Sequence, residues 1–429
     1  MPLSRVCAFS CAVLCTAVLG YAQQPAAPVN YDESKVPAFD LPDPLKTTDG
    51  RNVDSVKLWN EVRRPELLEL FTKEMFGKAM SGAGTISVAP LPITNNEPRV
   101  FNGKGMRHQI RLHFTKEGER WKDGDPKIDV LIYTPTHTKG KVPAFLGLNF
   151  QGNHTVDDDP GIALGTVWED KQSIPATEAK RGYQKSRWQI EKILDRGYAV
   201  VTAYYQEIEP DFDGGSQYGL RKLLDQKGEP DEGNTIATWA WGLCMIRALL
   251  GSIAEDIDPE KIIVHGHSRL GKTALWAGAI DPKFAIVISN NSGCGGAALS
   301  RREFGETVHR INTSFPHWFC GNFKKYNLDV NALPFDQHEL VALIAPRPVY
   351  IASAVEDQWA DPKGEFLSGL HADPVYRLFG TDGIGDVSEM PEVNKPVGDT
   401  IGYHIRTGKH DVTEYDWEQF LNFADKHLR

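Results

Sequence analysis

The chain is expected to fold as an α/β protein in which a mostly parallel central sheet carries helices on both faces. Two observations lead there. Short, almost wholly apolar runs recur at Val142 to Phe150, Tyr198 to Tyr205, Lys261 to His265, Phe284 to Ser289 and Pro348 to Ala352. Between them lie stretches of helical character, such as Trp188 to Asp195 and the long apolar run Ile236 to Ala254. Strands buried on both faces read as continuous apolar runs, and parallel strands need helical crossovers to connect them.

Ahead of this series, Asp40 to Ala79 carries apolar residues at helical spacing. Arg107 to Phe114 and Ile128 to Thr134 read as strands, the second turning at Gly140 into the first core run. Near the end, Gly402 to Ile405 is strand-like and Trp417 to His427 helical. The run 236–254 contains Arg247 and is followed by Glu255 and Asp256, so a buried helix is expected there rather than a membrane span. The polar, Gly/Pro-punctuated stretch Val156 to Lys185 reads as an inserted loop region, either a wall near the active site or a plain surface insertion.

The first residues differ from the rest. Arg5 supplies a positive start, Val6 to Leu19 is apolar, and Gly20-Tyr21-Ala22 offers small residues for cleavage, so 1–22 reads as a signal peptide. Residues 23–39 then form a linker, and 40–429 one catalytic domain. Export to the periplasm or the exterior is the expectation. Of six cysteines, Cys7, Cys11 and Cys15 would leave with the leader. Cys294 and Cys320 could bridge and Cys244 would stay free, although spacing alone does not establish disulfide geometry.

With 57 acidic against 47 basic residues, a formal charge of −10, the chain has no basic surplus to track a phosphate backbone. Nucleic acid is not an expected partner, and a monomer is expected. There is no CxxC, HExxH or EF-hand loop, so neither a metal nor another cofactor is expected.

The segment Ile262 to Thr273 (IIVHGHSRLGKT) is the most informative. Gly266 to Thr273 satisfies GxxxxGK[ST], the phosphate-cradling loop between a strand and a helix. The same residues resemble a nucleophile elbow, a sharp strand-to-helix turn that exposes a hydroxyl, here that of Ser268. The departure from GxSxG is that Leu270 holds the second position after the serine and the glycine follows at Gly271. Context favours the elbow: several strands precede the turn, no apolar strand ends in a Walker-B aspartate, and an acid and a histidine follow in the order Ser, Asp, His.

His410, in Arg406 to Asp411 ahead of the last helix, is the expected base. His404, inside the strand-like run, is expected to be packed or hydrogen-bonded. Asp357, just past the strand Pro348 to Ala352, is the expected acid, with Glu356 as the alternative. Such a carboxylate orients the imidazole and stabilises its charged form.

Together the stretches GHSRLGK (266–272), SGCGGA (292–297), LPFDQHELVALIAPRP (333–348), EDQWADP (356–362) and 402–410 with Asp416-Trp417 resemble the bacterial glucuronoyl esterases of carbohydrate esterase family 15. The resemblance covers essentially the whole chain after the leader. It implies an α/β-hydrolase fold and cleavage of esters between 4-O-methylglucuronate on xylan and lignin alcohols, without a metal or organic cofactor. Carried over, Ser268 is the nucleophile, His410 the base, Asp357 the acid and Arg269 a holder of the oxyanion. Lys272, Glu306 and Trp359 match positions that bind the sugar acid. Fungal members carry their acid at the segment matching Asn290-Asn291, which cannot supply that charge, and His267 replaces the fungal cysteine before the serine. The competing readings are an acetyl xylan or other carbohydrate esterase, a P-loop nucleotide-binding protein, and a non-catalytic secreted carbohydrate-binding protein.

Overall fold

A computed structural model describes residues 28–78, 86–93, 99–224 and 226–429. The expected leader, its three cysteines and Ala79 lie outside the described residues.

Twelve strands are described: β1 (Ile86–Pro92), β2 (Arg99–Val100), β3 (Gly105–Lys116), β4 (Lys127–Pro135), β5 (Val142–Asn149), β6 (Thr166–Glu169), β7 (Gln172–Pro175), β8 (Ala199–Tyr204), β9 (Ile257–His267), β10 (Ile286–Asn290), β11 (Val349–Ala354) and β12 (Ile401–Arg406). Ten of them form one sheet in the order β1-β3-β4-β8-β5-β9-β10-β11-β12, with β2 on β3, while β6 and β7 make a separate hairpin. From β8 to β12 every neighbour is parallel, and β1 to β4 add an antiparallel edge that joins β8.

Burial follows topology. Strands β8, β10, β11 and β12 are buried at every residue, whereas β3 alternates over much of its length, as expected of an antiparallel strand with one face near water. Alternate side chains divide the core into two layers. Ile262 and Val264 of β9 face one way with Ala144, Leu146, Val201, Val287 and Ile351, and Ile263 faces the other with Phe145, Val200, Ile288 and Tyr350. Helices Thr235–Ile253, Arg269–Ile280 and Pro362–Leu378 cover the first layer, and Ile190–Asp195 with Glu414–Leu428 cover the second. Thr235–Ile253 is long and apolar enough to cross a membrane by composition, yet its Ile236, Trp239, Leu243, Ile246 and Leu250 are buried in this core.

Several elements differ from expectation. The N-terminal helical stretch begins at Val56, not near Asp40, because Pro42, Pro44 and Gly50 keep the preceding segment in turns. Ser55 then caps it, its Oγ accepting from Leu58 N at 3.3 Å. Strand β1 carries Pro90 and Pro92, tolerated because β1 is an edge strand. Within 156–185 the hairpin β6–β7 supplies secondary structure where only a loop was expected.

Asn30, Tyr31 and Glu33 of the expected linker are docked on the protein. Glu33 pairs with Arg302 at 2.5 Å and Lys363 at 2.9 Å, Asn30 O accepts from Gly305 N, and Tyr31 meets Phe304 edge-on. Cys244, Cys294 and Cys320 are all free thiols, so the possible Cys294–Cys320 bridge is absent. Cys320 Sγ lies 3.6 Å from Lys73 O, against the N-terminal helical stretch, while the Cys294 carbonyl accepts from Lys272.

The loop after β8 is anchored by a buried ion pair. Arg221 donates to both oxygens of fully buried Glu209 at 2.6 and 2.5 Å, and Thr235 Oγ1 donates to the same carboxylate at 2.8 Å. Removing one partner leaves a buried charge uncompensated. Arg221→Met is therefore expected to lower stability by about 3–5 kcal/mol, read as a shift in the urea unfolding midpoint.

Candidate active site

Strand β9 lies beside β5, where the connections change direction across the sheet, and its carboxyl end is where an open α/β sheet forms a crevice. There the chain turns sharply into the helix Arg269–Ile280. Ser268 sits at φ 58°, ψ −129°, a conformation costly for any residue with a side chain. Its N–H donates to Asn290 O at 2.9 Å, and its carbonyl accepts from Gly271 and Lys272.

The glycine pattern has a steric cause. A Cβ on Gly266 would lie 1.9 Å from Leu270 O, and one on Gly271 would lie 3.0 Å from Ser292 Cβ. Glycine is needed three places after the serine because that position packs on the turn following β10. So tight a turn leaves no open loop of N–H groups to surround phosphates. Lys272, which a P-loop would aim at them, is buried with its ammonium donating to Ser292 O at 2.5 Å and Cys294 O at 2.7 Å. The nucleotide-binding alternative fails on this geometry.

Ser268 opens on a cavity of about 290 Å³ lined by Arg269, Lys272, Asn291, Glu306, Phe315, Trp318, Asp357, Trp359 and His410, among others. All seven residues expected from the sequence thus meet at one cavity. No residue of 156–185 lines it; its far wall comes from 291–318, between β10 and β11, and 156–185 lines other cavities, one where Gln184 lies beside His267 and one where Gly165 and Ala176 lie beside Glu207.

His410 Nδ1 lies 2.6 Å from Asp357 Oδ2, across from the end of β11. An ionised carboxylate only accepts, so Nδ1 is the nitrogen that donates in this pair, and in the neutral imidazole the lone pair then lies on Nε2. Asn291 Nδ2 donates to the same oxygen at 2.7 Å. Glu356 is absent from the cavity lining, and its N–H bonds Gly408 O at 3.0 Å, which ties the two loops together.

A second carboxylate holds the histidine loop from beneath. Fully buried Asp416 accepts from Arg406 Nε at 2.7 Å, Thr413 N at 2.7 Å, Asn290 Nδ2 at 3.1 Å and His404 Nε2 at 3.0 Å. Arg406 also reaches Thr407 O and Asp411 O, on either side of His410. His404 is a packed strand residue: burial pushes its pKa down, and Tyr350 OH lies 3.0 Å from its Nδ1. His267 is likewise held neutral, by burial first and by the neighbouring His410, with Nδ1 2.6 Å from Asn290 Oδ1.

On the other side, Glu306 faces Lys272 with 3.7 Å between charged atoms. Burial raises its pKa against the pull of Lys272. Trp359 is 40% exposed, so its ring is available at the cavity mouth rather than packed in the core. Beneath the floor, buried Glu365 accepts from the N–H groups of Ser292 and Gly293 at 2.7 and 2.9 Å and from Ser353 Oγ at 2.6 Å, its pKa pushed up to about 8 by burial.

The residues that the sequence did not single out are Asp211, Phe315, His317, Trp318 and Glu365. Asp211 pairs with the Arg269 guanidinium, which stands over the Trp318 ring at 4.8 Å. None belongs to a spaced motif. Among the described residues no cluster of His, Cys, Asp or Glu could hold a metal ion.

A family model described as glucuronyl esterase, fungi, matches residues 170–380. Carbohydrate esterase MZ0003, from an unknown prokaryotic organism, is 50% identical over 93% of this chain and 92% of its own length. The glucuronoyl esterase from Solibacter usitatus superposes with a TM-score of 0.87 at 45% identity, covering 92% of this chain and all of that one. A promiscuous CE15 esterase from a marine bacterial metagenome gives 0.85 at 49% identity over 94% of this chain and all of that one. With the nucleophile-elbow turn on a mostly parallel sheet, this likeness over nearly the full length shows that the chain belongs to the glucuronoyl esterases of carbohydrate esterase family 15.

Proposed function

We propose that the protein is an exported serine esterase that hydrolyses the ester between a glucuronate, such as the 4-O-methylglucuronate of xylan, and a lignin alcohol. The observation that carries this is the convergence of Ser268, the hydrogen-bonded pair His410–Asp357 and the pair Lys272–Glu306 on one cavity. The first group is what acyl transfer needs, and the second offers a cation and a carboxylate to sugar hydroxyls. The leader read in 1–22 supports export, which fits a polymeric substrate outside the cell.

Ser268 Oγ attacks the C6 carbonyl and gives its proton to His410 Nε2, while Asp357 holds Nδ1–H and stabilises the imidazolium. The oxyanion is held by the backbone N–H of Arg269, at the start of its helix, and by its guanidinium. His410 then protonates the departing alcohol. Water, deprotonated by His410, cleaves the acyl-enzyme and releases the free uronate.

Lys272 has three donors, and the two carbonyls it meets leave the third for Glu306 or for a hydroxyl of the sugar. Trp359 offers its ring to the sugar face. The site thus rewards a hydroxylated acid on the acyl side, because a ligand without those hydroxyls leaves buried polar groups unpaired.

Purified protein is expected to cleave benzyl glucuronate, and Ser268→Ala to abolish this; cleavage of an acetyl ester alone would sink the substrate assignment. Asp357→Asn should lower kcat by about 10⁴-fold, because asparagine cannot stabilise the imidazolium, with KM nearly unchanged in steady-state assays. Glu306→Ala is expected to cut kcat/KM for the glucuronate ester by about 10- to 100-fold, the worth of a hydrogen bond to a charged group. An equal loss on an acetyl ester would argue against a role in sugar binding.

A further inference from the structure

Arg269 is not a free surface arginine. Its guanidinium lies 4.8 Å from the centre of the Trp318 ring and 5.6 Å from that of Phe315, two rings stacked 3.8 Å apart and 3° from parallel. Its Nη1 donates to Asp211 Oδ2, and its Nε is buried with no hydrogen-bond partner among the described residues. It lines the cavity beside Ser268. One guanidinium donor is therefore anchored and another is buried and unused.

The anchor is itself saturated. Asp211 Oδ1 accepts from His317 Nε2 at 2.8 Å and Trp318 Nε1 at 2.7 Å, and Oδ2 accepts from Tyr205 OH at 3.0 Å and from Arg269. These four donors fill the places a carboxylate offers. Burial opposes its charge, but the bonds from His317 and Trp318 and the Arg269 charge prevail and hold its pKa at about 2. The chain segments that build this cluster are remote from the elbow: Asp211 lies in the loop after β8, and His317 and Trp318 lie in the wall between β10 and β11.

We propose that Asp211, fixed by His317 and Trp318, is a positioning residue that orients the Arg269 guanidinium toward the oxyanion of the reacting ester. This rests on the serine-esterase reading of the cavity. A long side chain at the mouth of a cavity samples many rotamers. One held by a carboxylate at its tip and by two rings on its face is set before substrate arrives, so its donor needs no reorganisation in the transition state. A cation at the first position of a helix also opposes the positive end of the helix dipole, and the Asp211 charge offsets that conflict. Trp318 serves both contacts at once, its N–H on Asp211 and its ring under the guanidinium.

The test is a double-mutant cycle on two substrates, benzyl glucuronate and 4-nitrophenyl acetate, since an oxyanion forms from either. Asp211→Asn keeps the shape and can still accept from His317 and Trp318, but its amide nitrogen cannot accept from Arg269. It is expected to lower kcat by about 10- to 100-fold, less than complete loss of an oxyanion donor, with KM within about twofold. In an Arg269→Gln background the same change should lower kcat by no more than about twofold. Trp318→Phe, which keeps the ring and loses the N–H, should show the same pattern at smaller amplitude and replaces Asp211→Asn if that variant fails to fold. Losses that multiply independently of Arg269, or that fall on KM alone, overturn the proposal. Activity on the acetyl ester without activity on the glucuronate overturns the substrate assignment and leaves the cycle to decide this point. Wild-type inertness toward both esters overturns the two together.

Discussion

The working face of the sheet depends on one strained turn. Ser268 is held at positive φ because the backbone on either side of it is closed up, with Gly266 against Leu270 O and Gly271 against the turn after β10. Strain of this kind costs about 1–3 kcal/mol and persists only where the surroundings over-determine it. Here they do. The Ser268 N–H is tied to β10, and the helix that follows is buried along most of its length. The result is a hydroxyl lifted out of the end of β9 beside the first N–H groups of a helix.

Strand β10 couples that turn to the rest of the site through two consecutive asparagines. Asn290 serves the buried layer, bonding His267 and Asp416, and Asn291 serves the cavity, bonding Asp357. Two carboxylates thereby divide the work around His410. Asp357 touches the imidazole, whereas Asp416 never meets it and instead fixes Arg406, Thr413 and His404, which frame its loop. An amide at 291 donates to the acid where a third carboxylate would only accept.

Charge is arranged with the same economy on the opposite side of the serine. Arg269 and Lys272 both project from the first turn of one helix, where cations are disfavoured, and each meets a buried carboxylate brought from elsewhere, Asp211 and Glu306. The docked N-terminal segment reinforces this wall. Asn30 bonds Gly305, the neighbour of Glu306, and Glu33 braces Arg302 against Asp361.

Much of this was legible in the sequence, for reasons that separate the residues cleanly. The parallel strands announce themselves because both of their faces must be apolar, and the elbow announces itself because its sterics act between residues a few positions apart. Asp357 and His410 could be named from their order after the elbow, each following a strand. Strands β1, β2, β6 and β7 were not visible, since short or proline-bearing edge strands need not be apolar on both faces. Asp211, His317 and Trp318 gave no signal at all: they stand about the same guanidinium but come from the loop after β8 and the wall between β10 and β11. Local sterics and periodic burial write themselves into neighbouring residues, and so the sequence by itself determined the α/β class, the turn at Ser268 and the chemistry available to it. Contacts between distant segments leave no such pattern. Only the tertiary structure decided which carboxylate meets Arg269, that 291–318 rather than 156–185 walls the cavity, and that Cys294 and Cys320 stay apart, because those follow from how the loops pack at the ends of the strands.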